Sequence, residues 1–125
     1  VSSKTAHLVA LGGSFTSAVL ILWLTLTPQA VAEIKSLPVD KLAHMVAFAV
    51  YILPTALLYP RALVPMLLFG LILGGGIEII QPFFARAQEL ADFGFDVVGL
   101  IIGAGIGLGV RALLRMVKNE FAVLE

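Results

Sequence analysis

Apolar residues run along this chain in four long blocks, each closed by proline or a cluster of charges. The first runs from about Leu8 to Leu26 and stops at Thr27-Pro28. The second, Leu42 to Tyr59, is framed by Asp40-Lys41 and Pro60-Arg61. The third covers Ala62 to Ile80 and ends at Gln81-Pro82, and the fourth runs from about Phe93 to Leu114 into the basic stretch Arg111, Arg115 and Lys118. A helix crossing a hydrocarbon layer of about 30 Å needs about 20 mainly apolar residues, so each block predicts a membrane-spanning helix. Proline ends helices because it lacks an amide hydrogen and clashes with the preceding turn. Pro54, inside the second block, predicts a kink whose freed carbonyl must find another partner in lipid. Pro65 falls in the first turn of the third, where proline costs little.

Composition agrees. Of 125 residues, 60% are hydrophobic and 13% charged, about half the charged share of a soluble domain. The expectation is one all-α domain over residues 1–125, a polytopic four-helix bundle with short loops. A net charge of zero leaves no basic surface for nucleic acid. The lack of cysteine removes disulfides, thiolate metal sites and cysteine nucleophiles. Lys4, the apolar run Ala18–Leu26 and Ala30-Val31-Ala32 imitate a signal peptide, but the apolar stretch from Leu8 is too long for one, and it is read as a span.

Five basic residues (Lys4, Arg61, Arg111, Arg115, Lys118) flank the side shared by the termini, against three (Lys35, Lys41, Arg86) on the other. The positive-inside rule then predicts cytoplasmic termini and an outward-facing 81–92 loop. Glycines recur at intervals of four: Gly70 and Gly74 in the third span, Gly99, Gly103 and Gly107 in the fourth, with Gly105 and Gly109 repeating the spacing. Small residues at this interval let helix backbones approach closely. Gly103-Ala104-Gly105-Ile106-Gly107 follows no strand, so it is not a nucleotide motif.

The polar residues that spans do not explain gather at one end. Asp40, Lys41 and His44 open the second helix; Glu78 and Gln81 close the third. Arg86, Gln88, Glu89 and Asp92 occupy the next loop, and Asp96 lies about one turn into the fourth helix. At 1.5 Å per residue, His44, Glu78 and Asp96 lie about 5 Å inside their helix ends, where a charge costs on the order of 3 kcal/mol. Asp40, Asp92 and Asp96 sit at helix N-termini, which favour anions, whereas Glu78 sits at a disfavoured C-terminus. Glu78 is therefore expected to pair with Arg86, Lys41 or His44. Three readings of the cluster remain open: caps and interhelical ion pairs, a site for a polar or anionic group, and catalysis or metal binding. One histidine with scattered carboxylates lacks a tight ligand spacing such as His-Glu-x-x-His, so no metal, cofactor or catalytic residue is assigned. His7, Trp23 and Tyr59 read as interfacial residues, and Lys118, Glu120 and Glu125 as a solvated tail.

These pieces resemble the VanZ-like family of bacterial membrane proteins. Residues 37–44, Leu-Pro-Val-Asp-Lys-Leu-Ala-His, resemble its Asp-Lys-x-x-His entry into the second span, and residues 76–81, Gly-Ile-Glu-Ile-Ile-Gln, its Ile-Glu-x-x-Gln exit from the third. Arg86, Glu89 and Asp92 followed by Gly99 and Gly103 resemble its entry into the fourth. The resemblance spans about residues 37–107. Asp96 stands where the family usually has asparagine, and Ala85 where it commonly has glycine. The resemblance implies a protein of the bacterial cytoplasmic membrane, and the polar cluster of Asp40, Lys41, His44, Glu78, Gln81, Arg86, Glu89, Asp92 and Asp96 is expected to bind a polar or anionic group at the outer membrane face, such as a lipid or cell-wall precursor head group. The alternative is a non-catalytic accessory subunit of a larger membrane complex. The expected partners are membrane lipids, with other transmembrane proteins in the second case.

Overall fold

A computed structural model describes residues 2–27, 38–84 and 88–123, with side chains from Lys41 onward in the second stretch. The described residues form four helices: α1, Ser3–Leu26; α2, Pro38–Leu58; α3, Leu63–Ile80; and α4, Leu90–Val123. All four are long and apolar enough to cross a membrane. Short 3-10 turns, Pro60–Ala62 and Gln81–Phe84, stand before and after α3. The chain is a four-helix bundle, and its outer surface is apolar: Phe15, Ile72 and Ile101 are each more than half exposed.

Local chemistry sets the boundaries. Ser2 caps α1 by accepting the Thr5 N–H at 3.3 Å, satisfying one of the donors a helix start leaves open. Pro38 opens α2, a position that its fixed φ suits. The helix continues through Pro54 to Leu58. Beside Pro54, the Ser14 hydroxyl of α1 donates to the Tyr51 carbonyl at 2.7 Å and lies 3.0 Å from the Thr55 hydroxyl. This buried polar contact, absent from the sequence reading, joins α1 to α2 where proline disturbs the hydrogen-bond ladder.

Helix α2 is the hub, touching α1, α3 and α4, and its interface with α4 is the most extensive. Phe48, Tyr51 and Ile52 of α2 meet Leu73 and Ile77 of α3, Leu100 and Ala104 of α4, and Ala18 and Ile21 of α1. The Tyr51 hydroxyl is satisfied by the Met66 carbonyl at 2.9 Å. Ala10, Ser14, Ala18 and Ile21 form the buried stripe of α1, at spacings that keep one helical face inward.

The glycines divide by face. A Cβ on Gly99 would overlap the Met45 carbonyl, and one on Gly103 the Ala49 carbonyl. On Gly107 it would lie 2.6 Å from the Ala56 Cβ. These three make the groove in α4 that receives α2. Gly70 and Gly74 of α3 admit Leu100 and Asp96, whose side chains a Cβ there would meet at 2.8 Å. Gly105 and Gly109, by contrast, have open space around them. Their spacing resembles a packing motif, but their phase on the helix turns them outward.

Helix α4 is also longer than its apolar run predicts. It continues nine residues past Leu114 to Val123, so the segment read as a solvated tail is helical as far as Val123. No glycine or proline follows Gly109, and Ala, Leu, Arg, Met and Lys all favour helix.

Candidate functional site at the polar end of the bundle

Polar side chains from three helices converge at the end of the bundle where α3 closes and α4 opens. Lys41 and His44 lie three residues apart in the opening turns of α2. Lys41 Nζ lies 2.8 Å from Glu89 Oε2 and 3.7 Å from Asp92 Oδ1. The His44 ring is flanked by two carboxylates: Nδ1 is 2.8 Å from Asp96 Oδ1 and Nε2 is 3.8 Å from Asp92 Oδ2. Asp92 and Asp96 can hold one imidazole between them because residues four apart share a helix face. His44, Glu78, Gln81, Asp92 and Asp96 are all buried.

Asp96 reaches this position because α3 has no side chain at Gly74, where a Cβ would lie 2.8 Å from Asp96 Oδ2. The glycine thus makes room for the acid as well as for helix contact.

Of the three cations expected beside Glu78, only Lys41 and His44 lie among the described residues, and the carboxylate has a different described partner. Its Oε2 accepts the backbone N–H of Glu89 at 2.9 Å, and it forms no ion pair with Lys41 or His44. Glu89 immediately precedes α4, so this N–H belongs to the set of donors a helix start leaves open. Lys41 is engaged by Glu89 and Asp92 instead. Gln81 extends its amide N–H toward the Thr25 carbonyl of α1 at 3.5 Å, linking the first helix to the cluster. Arg86 and the Asp40 side chain lie outside the described residues, as does that part of the expected site.

Three buried acceptors at this end, Glu78 Oε1, Gln81 Oε1 and Asp96 Oδ2, have no hydrogen-bond partner among the described residues. Buried polar atoms are nearly always paired, so the described part of the cluster is short of donors. Among the described residues, no group of three or more His, Asp or Glu side chains could hold a metal ion. The arrangement can exchange a proton between His44 and its flanking carboxylates, and can accept hydrogen bonds from a donor-bearing group.

The opposite end escaped the sequence reading as a structured place. Arg111 Nη1 donates to the Leu57 carbonyl at 2.7 Å, capping the C-terminus of α2, where carbonyls lack intrahelical partners and a cation is favoured. The His7 ring stacks on Tyr59 with centroids 3.8 Å apart. A weak signal was present: Arg111 lies one turn after Gly107, on the face that packs against α2.

No protein-family model matches this chain, and neither does any curated protein or solved structure.

Proposed function

We propose that this chain is a VanZ-like integral membrane protein whose polar end binds a polar, donor-bearing group at the outer face of the bacterial cytoplasmic membrane. The ligand in this reading is the head group of a lipid or cell-wall precursor, carrying hydroxyls or an ammonium. The observation that supports it is the deficit of donors: Glu78 Oε1, Gln81 Oε1 and Asp96 Oδ2 are buried without partners among the described residues. Leaving such an acceptor unsatisfied costs about 1–3 kcal/mol, which a bound hydroxyl or ammonium would recover. Charge argues the same way. The expected cluster counts five carboxylates in sequence, Asp40, Glu78, Glu89, Asp92 and Asp96, against the basic residues Lys41, Arg86 and His44, so within the expected class of polar or anionic ligands a donor is favoured over an anion.

One observation favours the alternative, an accessory subunit whose cluster only staples its own helices. The closest pairs, Lys41–Glu89 and His44–Asp96, both join α2 to the α4 segment.

The two readings separate in detergent-solubilised protein. Phosphatidylethanolamine and a neutral glycolipid are expected to raise the melting temperature of the wild type. The variants Asp96→Asn and Glu78→Gln should lose most of that shift, whereas any response to phosphatidic acid should be the same in wild type and variants. Equal shifts in wild type and variants would rule out the site. A chain that purifies only within a larger complex and ignores phosphatidylethanolamine and the glycolipid supports the accessory reading.

A further inference from the structure

The end of the bundle opposite the polar cluster holds a cavity of about 410 Å³. It lies within the usual range of ligand pockets, about 300–1,000 Å³. Three parts of the chain line it: His7 from α1; Leu58, Tyr59, Pro60 and Arg61 where α2 turns into α3; and Leu108, Arg111, Ala112 and Arg115 from α4. Three of these residues are arginines and none is acidic.

We propose that this cavity is a binding site for a phosphate-bearing anion, independent of whatever occupies the polar end. Guanidinium groups present paired N–H donors that match phosphate oxygens, and here three come from two separate segments. Arg111 and Arg115 are one turn apart on α4 and share a face, and Arg61 approaches from the α2–α3 turn. Arg111 is held in place because its Nη1 donates to the Leu57 carbonyl at 2.7 Å, and its remaining N–H groups extend the donor set. The His7–Tyr59 stack, at 3.8 Å, forms an aromatic part of the lining. Leu58, Leu108 and Ala112 supply apolar surface for whatever carries the phosphate.

Arginines at helix ends also serve membrane orientation, but that role needs only charge near the span ends. It requires neither convergence on one cavity nor guanidinium geometry. Replacing arginine by lysine keeps the charge and removes the planar fork, so it separates the two roles.

The phosphate could belong to a lipid or to a soluble molecule, and the test has an arm for each. The full chain in phosphatidylcholine nanodiscs would be titrated with inorganic phosphate, and parallel nanodiscs would carry phosphatidic acid or phosphatidylglycerol. Saturable stabilisation by phosphate identifies a soluble ligand. Stabilisation by the anionic lipids alone identifies a head group. In either arm, Arg61→Lys and Arg115→Lys together should weaken the response about tenfold, since a hydrogen bond to a charged group is worth a factor of that order. These two are chosen because Arg111→Gln also removes the α2 cap and lowers stability for that reason alone. A response unchanged by the double lysine variant means diffuse charge and overturns the proposal, as does the absence of stabilisation by any of the three phosphate compounds.

Discussion

Glu78 lies where two helix ends of opposite polarity meet. It closes α3, whose C-terminal carbonyls disfavour an anion, yet its carboxylate accepts the N–H that opens α4, where an anion is favoured by about 0.3–1 kcal/mol. A hydrogen bond to a helix start thus holds Glu78 in addition to whatever Arg86, which lies outside the described residues, contributes. Glu78→Gln keeps an oxygen able to accept the Glu89 N–H, so its stability loss should stay below about 1.5 kcal/mol, the range of one net hydrogen bond. Glu78→Leu abandons that N–H and should cost more. Unfolding in mixed micelles would measure both, and a Gln variant as damaged as the Leu variant contradicts this account. His44 and Asp96 are predicted to be coupled. In a double-mutant cycle with His44→Asn and Asp96→Asn, the interaction energy should be about 0.5–3 kcal/mol. Losses that simply add would mean that the 2.8 Å contact contributes nothing.

For the helices, length and punctuation in the sequence carried most of the information. Four apolar blocks became four helices because the membrane requirement is mainly one of length and composition, and prolines bound α2 on both sides. Facing was less legible. Gly103 and Gly105 look alike in sequence, both belonging to a four-residue repeat, and only the position of α2 separates them. The end of α4 was also hidden, since hydropathy falls after Leu114 while helix propensity does not. The paired glycines supply a direct test. Gly103→Ala places a methyl against the Ala49 carbonyl, and overpacking of this kind costs about 1–3 kcal/mol. Gly105→Ala meets nothing within 4 Å and gains helix propensity, worth up to about 1 kcal/mol. Melting temperatures should therefore move in opposite directions. Two equal decreases would mean that the α2–α4 interface does not run along the Gly99–Gly103–Gly107 face.

Across the whole molecule the two ends differ in charge. Lys41, His44, Glu78, Glu89, Asp92 and Asp96 occupy one end, and His7, Arg61, Arg111 and Arg115 the other. The sequence revealed this division because an even number of spans returns both termini to the side of the Pro60–Ala62 turn. It did not reveal the contacts within each end, which depend on helix rotation: the choice of Asp96 over Glu78 as the close partner of His44, or of the Leu57 carbonyl for Arg111. The basic residues favour the Arg61 side by five to three, and Lys and Arg are retained on the cytoplasmic side. We therefore expect the basic end to face the cytoplasm and the polar end to face outward. Cysteine introduced at Gln88, exposed just before α4, should react with an impermeant maleimide in intact cells. Cysteine at Asn119, exposed on the extension of α4, should react only after the cells are opened. The reverse pattern would turn the molecule over. It would expose the arginine-lined cavity to the outer leaflet and give the polar end a cytoplasmic ligand, without altering the contacts within either end.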